Sequence, residues 1–239
     1  ISLGLSRIMA KWMLGVKVID PERAHGELGE LVQTVHRLAK SANLPAMPEV
    51  GVYDSPEVNA FATGPTKARA LVAVSSGLMG RMSQKQMEGV LGHELAHIAN
   101  GDMVTMTLIQ GVVNAFVMFF ARVIAFAVSQ NVKEESRRMV NFMVTMVLEI
   151  AFSLLWAIVV SYFSRRREFR ADEGGAKLAG SASMIDALKA LKRSSETIGV
   201  EEHASLATLK ISGSPSGFMA LLATHPPLEA RIARLESMR

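Results

Sequence analysis

The sequence His93-Glu94-Leu95-Ala96-His97 has the pattern H-E-x-x-H, whose residue types and spacing can bind and use a metal ion. On a helix, residues four apart lie on one face, so His93 and His97 can hold one metal between them. Zinc suits two imidazoles plus an oxygen ligand, and an open fourth position makes such a site catalytic rather than structural. Glu94 could then act as a base toward a water molecule at that position. The alternative is a helix with two surface histidines and a solvated glutamate.

A catalytic zinc needs a third protein ligand, which must come from outside this helix. The extended pattern H-E-x-x-H-x-x-G-x-x-H is absent, because Asn100 and Met103 stand where it requires Gly and His. The side chains that could serve instead are Asp102, Glu149, Glu168, Asp172, Glu173, His203 and His225. Glu168 is favoured, because Asp172 one helical turn later could accept the spare N–H of a zinc-bound histidine. The alternative is that Glu168 pairs only with nearby arginines.

Two apolar segments are each long enough to cross a membrane. Met103 to Ala121 carries no formal charge, and Val140 to Phe163 carries only Glu149. The polar stretch from Lys133 to Arg138 predicts a tip between them, so the segments should form an antiparallel hairpin that returns the chain to one side. We also predict that Arg122 and Glu149 form a pair or a shared polar network, because charges inside a bilayer usually have partners. The alternative is that Glu149 faces amino-terminal spans that precede this chain. The alternative is two buried helices of a soluble core.

The elements that must position these residues are predicted from periodicity and capping. A helix is expected from Pro21 to Ser41, followed by three strands: Val50–Tyr53, Val58–Thr63 and Ala70–Val74. Ser83 and Gln86 form a capping box that should start the H-E-x-x-H helix, and Asn100-Gly101 should end it. After the hairpin we expect helices at Ser164–Leu178, Ser183–Lys192 and from Pro226-Pro227 toward Arg239, with a loop at Ser194–Gly217.

Composition narrows the class of protein further. The net charge is +4, but no basic stripe with interleaved aromatic residues is present, so nucleic-acid binding is not predicted. The absence of cysteine excludes disulfides and zinc–thiolate sites. A basic cluster just after the second apolar segment favours a cytoplasmic location for that side: Arg165, Arg166, Arg167 and Arg170. Residues 1–18, whose apolar pattern is broken by basic residues, are interpreted as the tail of a truncated membrane helix rather than a signal peptide.

Four motifs together suggest a known family. They are Asn59-Ala60-Phe61-Ala62-Thr63-Gly64, His93 to Asp102 (HELAHIANGD), Ser164 to Asp172 (SRRREFRAD) and Thr224-His225-Pro226-Pro227. With these motifs the chain, from about Trp12 to its end, resembles the HtpX family of bacterial membrane-embedded zinc metalloproteases, which is related to the CAAX prenyl proteases. The resemblance implies one zinc ion held by His93, His97 and Glu168, with Glu94 as the catalytic base.

The resemblance also sets expectations for architecture and setting. It implies an α+β, mainly helical fold: a zincin-like protease domain with a small β-sheet, interrupted by a transmembrane helical hairpin. The expected divisions are residues 1–18, the first protease part 19–101, two membrane helices 102–163 and the second protease part 164–239. It implies four spans in the bacterial inner membrane with a cytoplasmic active site. The lipid bilayer, unfolded or membrane-protein substrates and other membrane proteases are the expected partners.

Two further predictions concern the reaction. His225 is the candidate donor to the oxyanion, because the two prolines after it can fix it at a helix start; Arg231 is a weaker candidate, and the alternative is that His225 only caps the helix. The stretch Asn59, Ala60, Phe61 and Ala62 is a candidate edge strand to which a substrate chain could add by backbone hydrogen bonds. An ordinary sheet strand is the alternative.

The predicted function is a membrane-bound zinc endopeptidase for misfolded or damaged membrane proteins. A second enzyme class, a protease that cuts inside the bilayer, is disfavoured because the start of the H-E-x-x-H helix is polar: Ser83, Gln84, Lys85, Gln86 and Glu88. A non-catalytic membrane scaffold or adaptor with a zinc site is the remaining alternative. The intact base Glu94 argues against it.

Overall fold

The computed structural model describes residues 3–205 and 225–238, with a short 3-10 turn at Leu3–Leu5. The strands are β1 (Lys17–Val18), β2 (Glu49–Tyr53), β3 (Ala60–Thr63) and β4 (Leu71–Ser75). The helices are α1 (Ser6–Met13), α2 (Gly26–Ser41), α3 (Ser76–Arg81), α4 (Gln84–Asn100), α5 (Asp102–Ser129), α6 (Glu134–Ala179), α7 (Ser181–Ser205) and α8 (Leu228–Ser237). This mainly helical structure with a small sheet and two long apolar helices confirms the predicted fold class.

The four strands form one mixed sheet in the order β1-β2-β4-β3. β2 and β4 are parallel, whereas β1 pairs antiparallel with β2 and β3 pairs antiparallel with β4. β3 therefore lies at an edge, as the sequence predicts for this stretch. The two-residue strand β1 was not predicted, because two residues show no alternation of apolar and polar side chains.

The H-E-x-x-H helix α4 is fixed by its ends and by its packing. Ser83 and Gln86 form the predicted capping box, and Gly101 ends the helix in the left-handed region with φ +75°. Buried side chains of α4 pack with α2 and the sheet in one core, which includes Leu91, Leu95, Ile98, Leu31, Val35, Leu38, Val50, Val72 and Val74. The histidines of α4 are thus carried by a helix that is anchored on several sides.

Glycines bring α6 unusually close to α4. A Cβ at Gly175 would lie 2.9 Å from the backbone nitrogen of His93, and a Cβ at Gly174 would lie 2.7 Å from the Cβ of Ala96. Atoms at such distances overlap, so only glycine allows this approach. Because Glu168 and Asp172 are on the same helix, the close contact brings their carboxylates to the histidines.

Most of α5 and the first part of α6 form the hairpin unit, which comprises Thr105–Arg166 and His225 among the described residues; the sheet, α4 and the rest of α6 belong to the other compact unit. Both helices are long and apolar enough to cross a membrane. The predicted direct pair between Arg122 and Glu149 is wrong, because no ion pair joins them within the described residues; a shared polar network in the membrane stays a prediction. Arg122 is exposed, one residue beyond the buried Ala121, and so it does not point into the helix contact.

Three predicted boundaries need correction. α2 starts at Gly26 rather than Pro21, because Asp20 accepts hydrogen bonds from Glu22 and Arg23 and holds this stretch in a turn. α7 starts at Ser181, directly after Gly180 with φ +89°. It continues to Ser205, so the first part of the predicted loop Ser194–Gly217 is helical; residues 206–217 lie outside the described part of the chain.

Candidate metal centre

Three side chains from two helices converge on one point. The Nε2 atoms of His93 and His97, one turn apart on α4, lie 3.1 Å from each other. The carboxylate of Glu168 on α6 places Oε2 3.5 Å from Nε2 of His93 and Oε1 3.4 Å from Nε2 of His97. His93 and Glu168 are buried, and His97 is partly buried. The structure therefore brings together the three residues that the sequence predicts as metal ligands.

The spacing and chemistry of this donor set fit a zinc ion. Bond lengths of 2.0–2.1 Å to nitrogen and oxygen in a tetrahedral site separate the ligand atoms by roughly 3.3 Å. The three separations between these donor atoms, 3.1, 3.5 and 3.4 Å, lie close to that value. Two imidazoles and one carboxylate are also a set of ligands found in catalytic rather than structural zinc sites.

Each histidine has its other ring nitrogen on a carboxylate. Nδ1 of His93 lies 2.9 Å from Oδ1 of Asp172, which confirms the predicted contact. Nδ1 of His97 lies 2.7 Å from Oδ2 of Asp102, a contact that the sequence analysis missed. A carboxylate there accepts a hydrogen bond from the N–H of Nδ1, so the lone pair of Nε2 is left for the metal.

Arg231 of α8 holds the carboxylate of Asp172. Its Nε and Nη2 donate to the two oxygens at 2.8 and 2.6 Å, and both residues are buried. Nη1 lies 3.8 Å from Oε2 of Glu168. The guanidinium is therefore occupied by Asp172, which argues against the weaker prediction that Arg231 donates to an oxyanion. Asp172 and Arg231 are 59 residues apart, so no local pattern could have revealed this pair.

The charges around the histidines favour a cation between them. Burial lowers the pKa of His97, but hydrogen bonds with Asp102 and Glu168 outweigh it and raise that pKa to about 9. Burial likewise opposes charge on His93, and hydrogen bonds with Asp172 and Glu168 raise its pKa as well. The carboxylates around the two histidines thus favour positive charge on them in the metal-free protein. A metal must displace the protons that carry that charge.

Glu94 faces the edge strand. Its Oε2 accepts a hydrogen bond of 3.0 Å from the backbone N–H of Ala62 on β3. Ser75 donates its N–H to the oxygen of Asn59, and in an antiparallel pair such hydrogen-bonded positions alternate. The backbone groups of Ala60 and Ala62 therefore point away from β4, toward the free side of the sheet. The backbone N–H and C=O of Phe61, which lies between them, point the opposite way, toward its partner Ala73 on β4.

The remaining candidates lie elsewhere. His225 is exposed in the bend that precedes α8 and groups with the hairpin unit, so its role stays a prediction. Glu173 binds Arg234 at the surface, and Glu149 belongs to the hairpin unit. The side chain of His203 lies outside the described ones. Within the described residues, the only group of His, Asp and Glu side chains that meets as a metal cluster is the one at His93.

Comparisons with known proteins identify the family of the chain. The model of peptidase family M48 matches residues 27–239. The chain is 53% identical over 239 residues to a protein named Protease HtpX homolog from Bacillus subtilis, covering 99% of this chain and 79% of that protein. It is 52% identical over 238 residues to Protease HtpX of Pasteurella multocida, covering 100% and 82%.

A solved structure supports the fold independently. The crystal structure of S. mikatae Ste24p superposes with a TM-score of 0.67 at 21% identity over 96% of this chain. The chain spans about half of that protein, 54% of its length. At this identity the likeness shows the fold alone. The family match and the two relatives show that the chain belongs to the HtpX proteases of peptidase family M48, and with this fold they support a membrane metalloprotease.

Proposed function

We propose that this protein is a zinc endopeptidase that cleaves unfolded or damaged membrane proteins on the cytoplasmic side of the bacterial inner membrane. The observation that carries the proposal is the meeting of three donor atoms, from His93, His97 and Glu168, beside the carboxylate of Glu94. One zinc ion per chain fits this donor set. When bound, zinc supplies Lewis acidity toward water and toward a peptide carbonyl.

Glu94 is the proposed general base. It accepts a proton from the attacking water and returns it to the nitrogen of the leaving amine. The bond from Ala62 N–H fixes the carboxylate in the substrate-free protein and leaves its other oxygen for proton transfer. His225 is the proposed donor to the oxyanion. Because Arg231 is bound to Asp172, it is not proposed for that task.

The edge strand supports a preference for unfolded substrates. The outward N–H and C=O of Ala60 and the outward C=O of Ala62 can bind an extended chain as a further strand, which depends on the backbone rather than on side chains. A folded protein does not present such a chain, so the site selects unfolded segments. Its proposed location beside the membrane, together with the candidate spans α5 and α6, favours segments of membrane proteins.

The cytoplasmic orientation rests on the positive-inside rule. Arg165, Arg166 and Arg167 follow the apolar part of α6 directly, and short segments rich in Lys and Arg stay on the cytoplasmic side. The same helix then carries Glu168 and Asp172, so the site is proposed to lie on that side.

Zinc-dependent hydrolysis of casein by the full-length protein in detergent tests the proposal. We expect cleavage that is lost on chelation, is restored by zinc and is abolished in Glu94→Gln, which preserves shape and zinc ligands. Asp186→Asn on the exposed face of α7 is the control for the loss of one carboxylate. If wild type binds one zinc per chain without any cleavage, the protein is a scaffold or adaptor instead.

A further inference from the structure

A single residue, Gly101, separates α4 from α5. Gly101 ends α4 with φ +75°, and Asp102 is already the first residue of α5. With this break in the helix, Oδ2 of Asp102 lies 2.7 Å from Nδ1 of His97 in the last turn of α4. Asp102 is only 2% exposed, so water does not compete effectively for this contact.

The contact matters because a neutral imidazole carries one proton, and only the nitrogen without that proton can bind a metal. A carboxylate at Nδ1 selects the form with the proton on Nδ1. The lone pair of Nε2 then points toward Glu168 and His93. We propose that Asp102 is a positioning residue that fixes the tautomer and the ring orientation of His97 for zinc. This inference rests on the proposed zinc site.

The geometry separates this role from that of a metal ligand. Oδ2 of Asp102 is on Nδ1 of His97, the ring nitrogen that does not take part in the cluster of His93 and Glu168. Its other oxygen, Oδ1, lies 3.4 Å from Nη2 of Arg170. Both oxygens of Asp102 thus contact atoms other than the three donor atoms that would bind the metal.

The surrounding structure holds the carboxylate in place. Asp102 lies in the first turn of α5, where a helix stabilises a negative charge. The Nζ of Lys67 donates to the oxygen of Ala99 at 2.5 Å, and its side chain lies against Gly101. Lys67 thereby stabilises the turn that precedes Asp102.

The two histidines differ in how their carboxylates are supported. Asp172 at His93 is held by the buried Arg231, whereas the guanidinium beside Asp102 is 63% exposed and more distant. Solvent screens such an exposed contact. We therefore expect the orientation of His97 to depend on the carboxylate of Asp102 itself rather than on its arginine partner.

The experiment measures the zinc dissociation constant of the full-length protein in detergent by competition with a chromogenic chelator. We expect zinc binding 10- to 100-fold weaker in Asp102→Ala, the range typical for loss of a group that orients a zinc ligand. Asp102→Asn keeps an oxygen that can accept from Nδ1, so about a three- to tenfold loss is expected. Asp186→Asn should bind like wild type, and the thermal unfolding of the metal-free protein monitors the fold.

The zinc dissociation constants of the two Asp102 variants decide whether the inference holds. A wild-type zinc constant in both Asp102 variants overturns the inference, and so does a lower unfolding temperature with an unchanged constant, because that is a structural role only. If Asp102→Ala does not fold, Asp102→Asn decides by the same criterion. If wild type does not bind zinc, or His93→Ala binds as tightly as wild type, the proposed function itself fails.

Discussion

Replacing Arg231 by methionine tests whether the buried guanidinium stabilises the metal centre. Arg231 donates to both oxygens of Asp172 at 2.8 and 2.6 Å, and the two residues are 7% and 1% exposed. In Arg231→Met the side chain keeps most of its apolar volume, so little packing is lost. What disappears is the positive charge. Asp172 remains buried with one hydrogen-bond partner, Nδ1 of His93.

The expected cost follows from that remaining charge. Removing one partner of a buried ion pair typically costs about 3–5 kcal/mol, mostly because the other charge stays buried without compensation. Since His93 still contacts Asp172, we expect the lower end, about 3 kcal/mol of unfolding free energy for the metal-free protein. The double variant Arg231→Met/Asp172→Asn removes both charges, so we expect it to recover about half or more of this loss.

The assay is urea unfolding of the metal-free protein in detergent, followed by circular dichroism. Arg234→Met is the matched control: it lies on the same helix and binds Glu173 at 2.7 Å, but its side chain is 53% exposed. Its loss should cost less than about 1 kcal/mol, as for other exposed pairs. Equal costs for Arg231→Met and Arg234→Met would refute the reasoning, because burial would then make no difference.

Three further predictions concern packing, substrate binding and topology. Gly175→Ala should lower the unfolding free energy by about 1–3 kcal/mol in the same urea assay, because its Cβ would lie 2.9 Å from the backbone of His93. Gly80→Ala, whose Cβ has no atom within 4 Å, should leave the unfolding free energy unchanged. Equal losses in the two variants would contradict the overlap. Ala60→Pro should raise KM for casein with the fold intact, since it removes an outward N–H of β3; an unchanged KM would argue against strand addition. Because the chain has no cysteine, Lys133→Cys should react with an impermeant maleimide on intact cells, and Lys85→Cys only after permeabilisation; the reverse pattern would place the site outside.

Local sequence patterns predicted the parts of the site that lie within one or two helical turns. The capping box at Ser83, the helix end at Gly101 and the i, i+4 pair of histidines all follow from spacing along one helix. Glu168 and Asp172 were predicted from their spacing and from the return of the hairpin. Each of these inferences needed only the period of a helix and a chemical requirement.

Contacts that join distant segments could not be predicted in this way. Arg231 and Asp172 are 59 residues apart, and their pairing depends on how α8 packs against the rest of its unit. Asp102 is only five residues beyond His97, yet a helical period does not bring residues i and i+5 together. The contact forms because α4 ends at Asn100 and Gly101 takes a left-handed conformation, so Asp102 does not continue the path of that helix.

One tertiary contact did leave a trace in the sequence. Gly174 and Gly175 stand in the interior of α6, where each glycine costs about 1 kcal/mol relative to alanine. Two adjacent glycines in a helix therefore need a compensating contact, and Gly175 lies on the same face as Glu168 and Asp172, seven and three residues earlier. That stripe predicts a helix whose backbone meets another backbone next to its carboxylates. The structure shows this contact, with α6 against the nitrogen of His93. The spacing from Glu168 to Gly175 thus predicts which face of α6 must contact α4 for the metal ligands to meet.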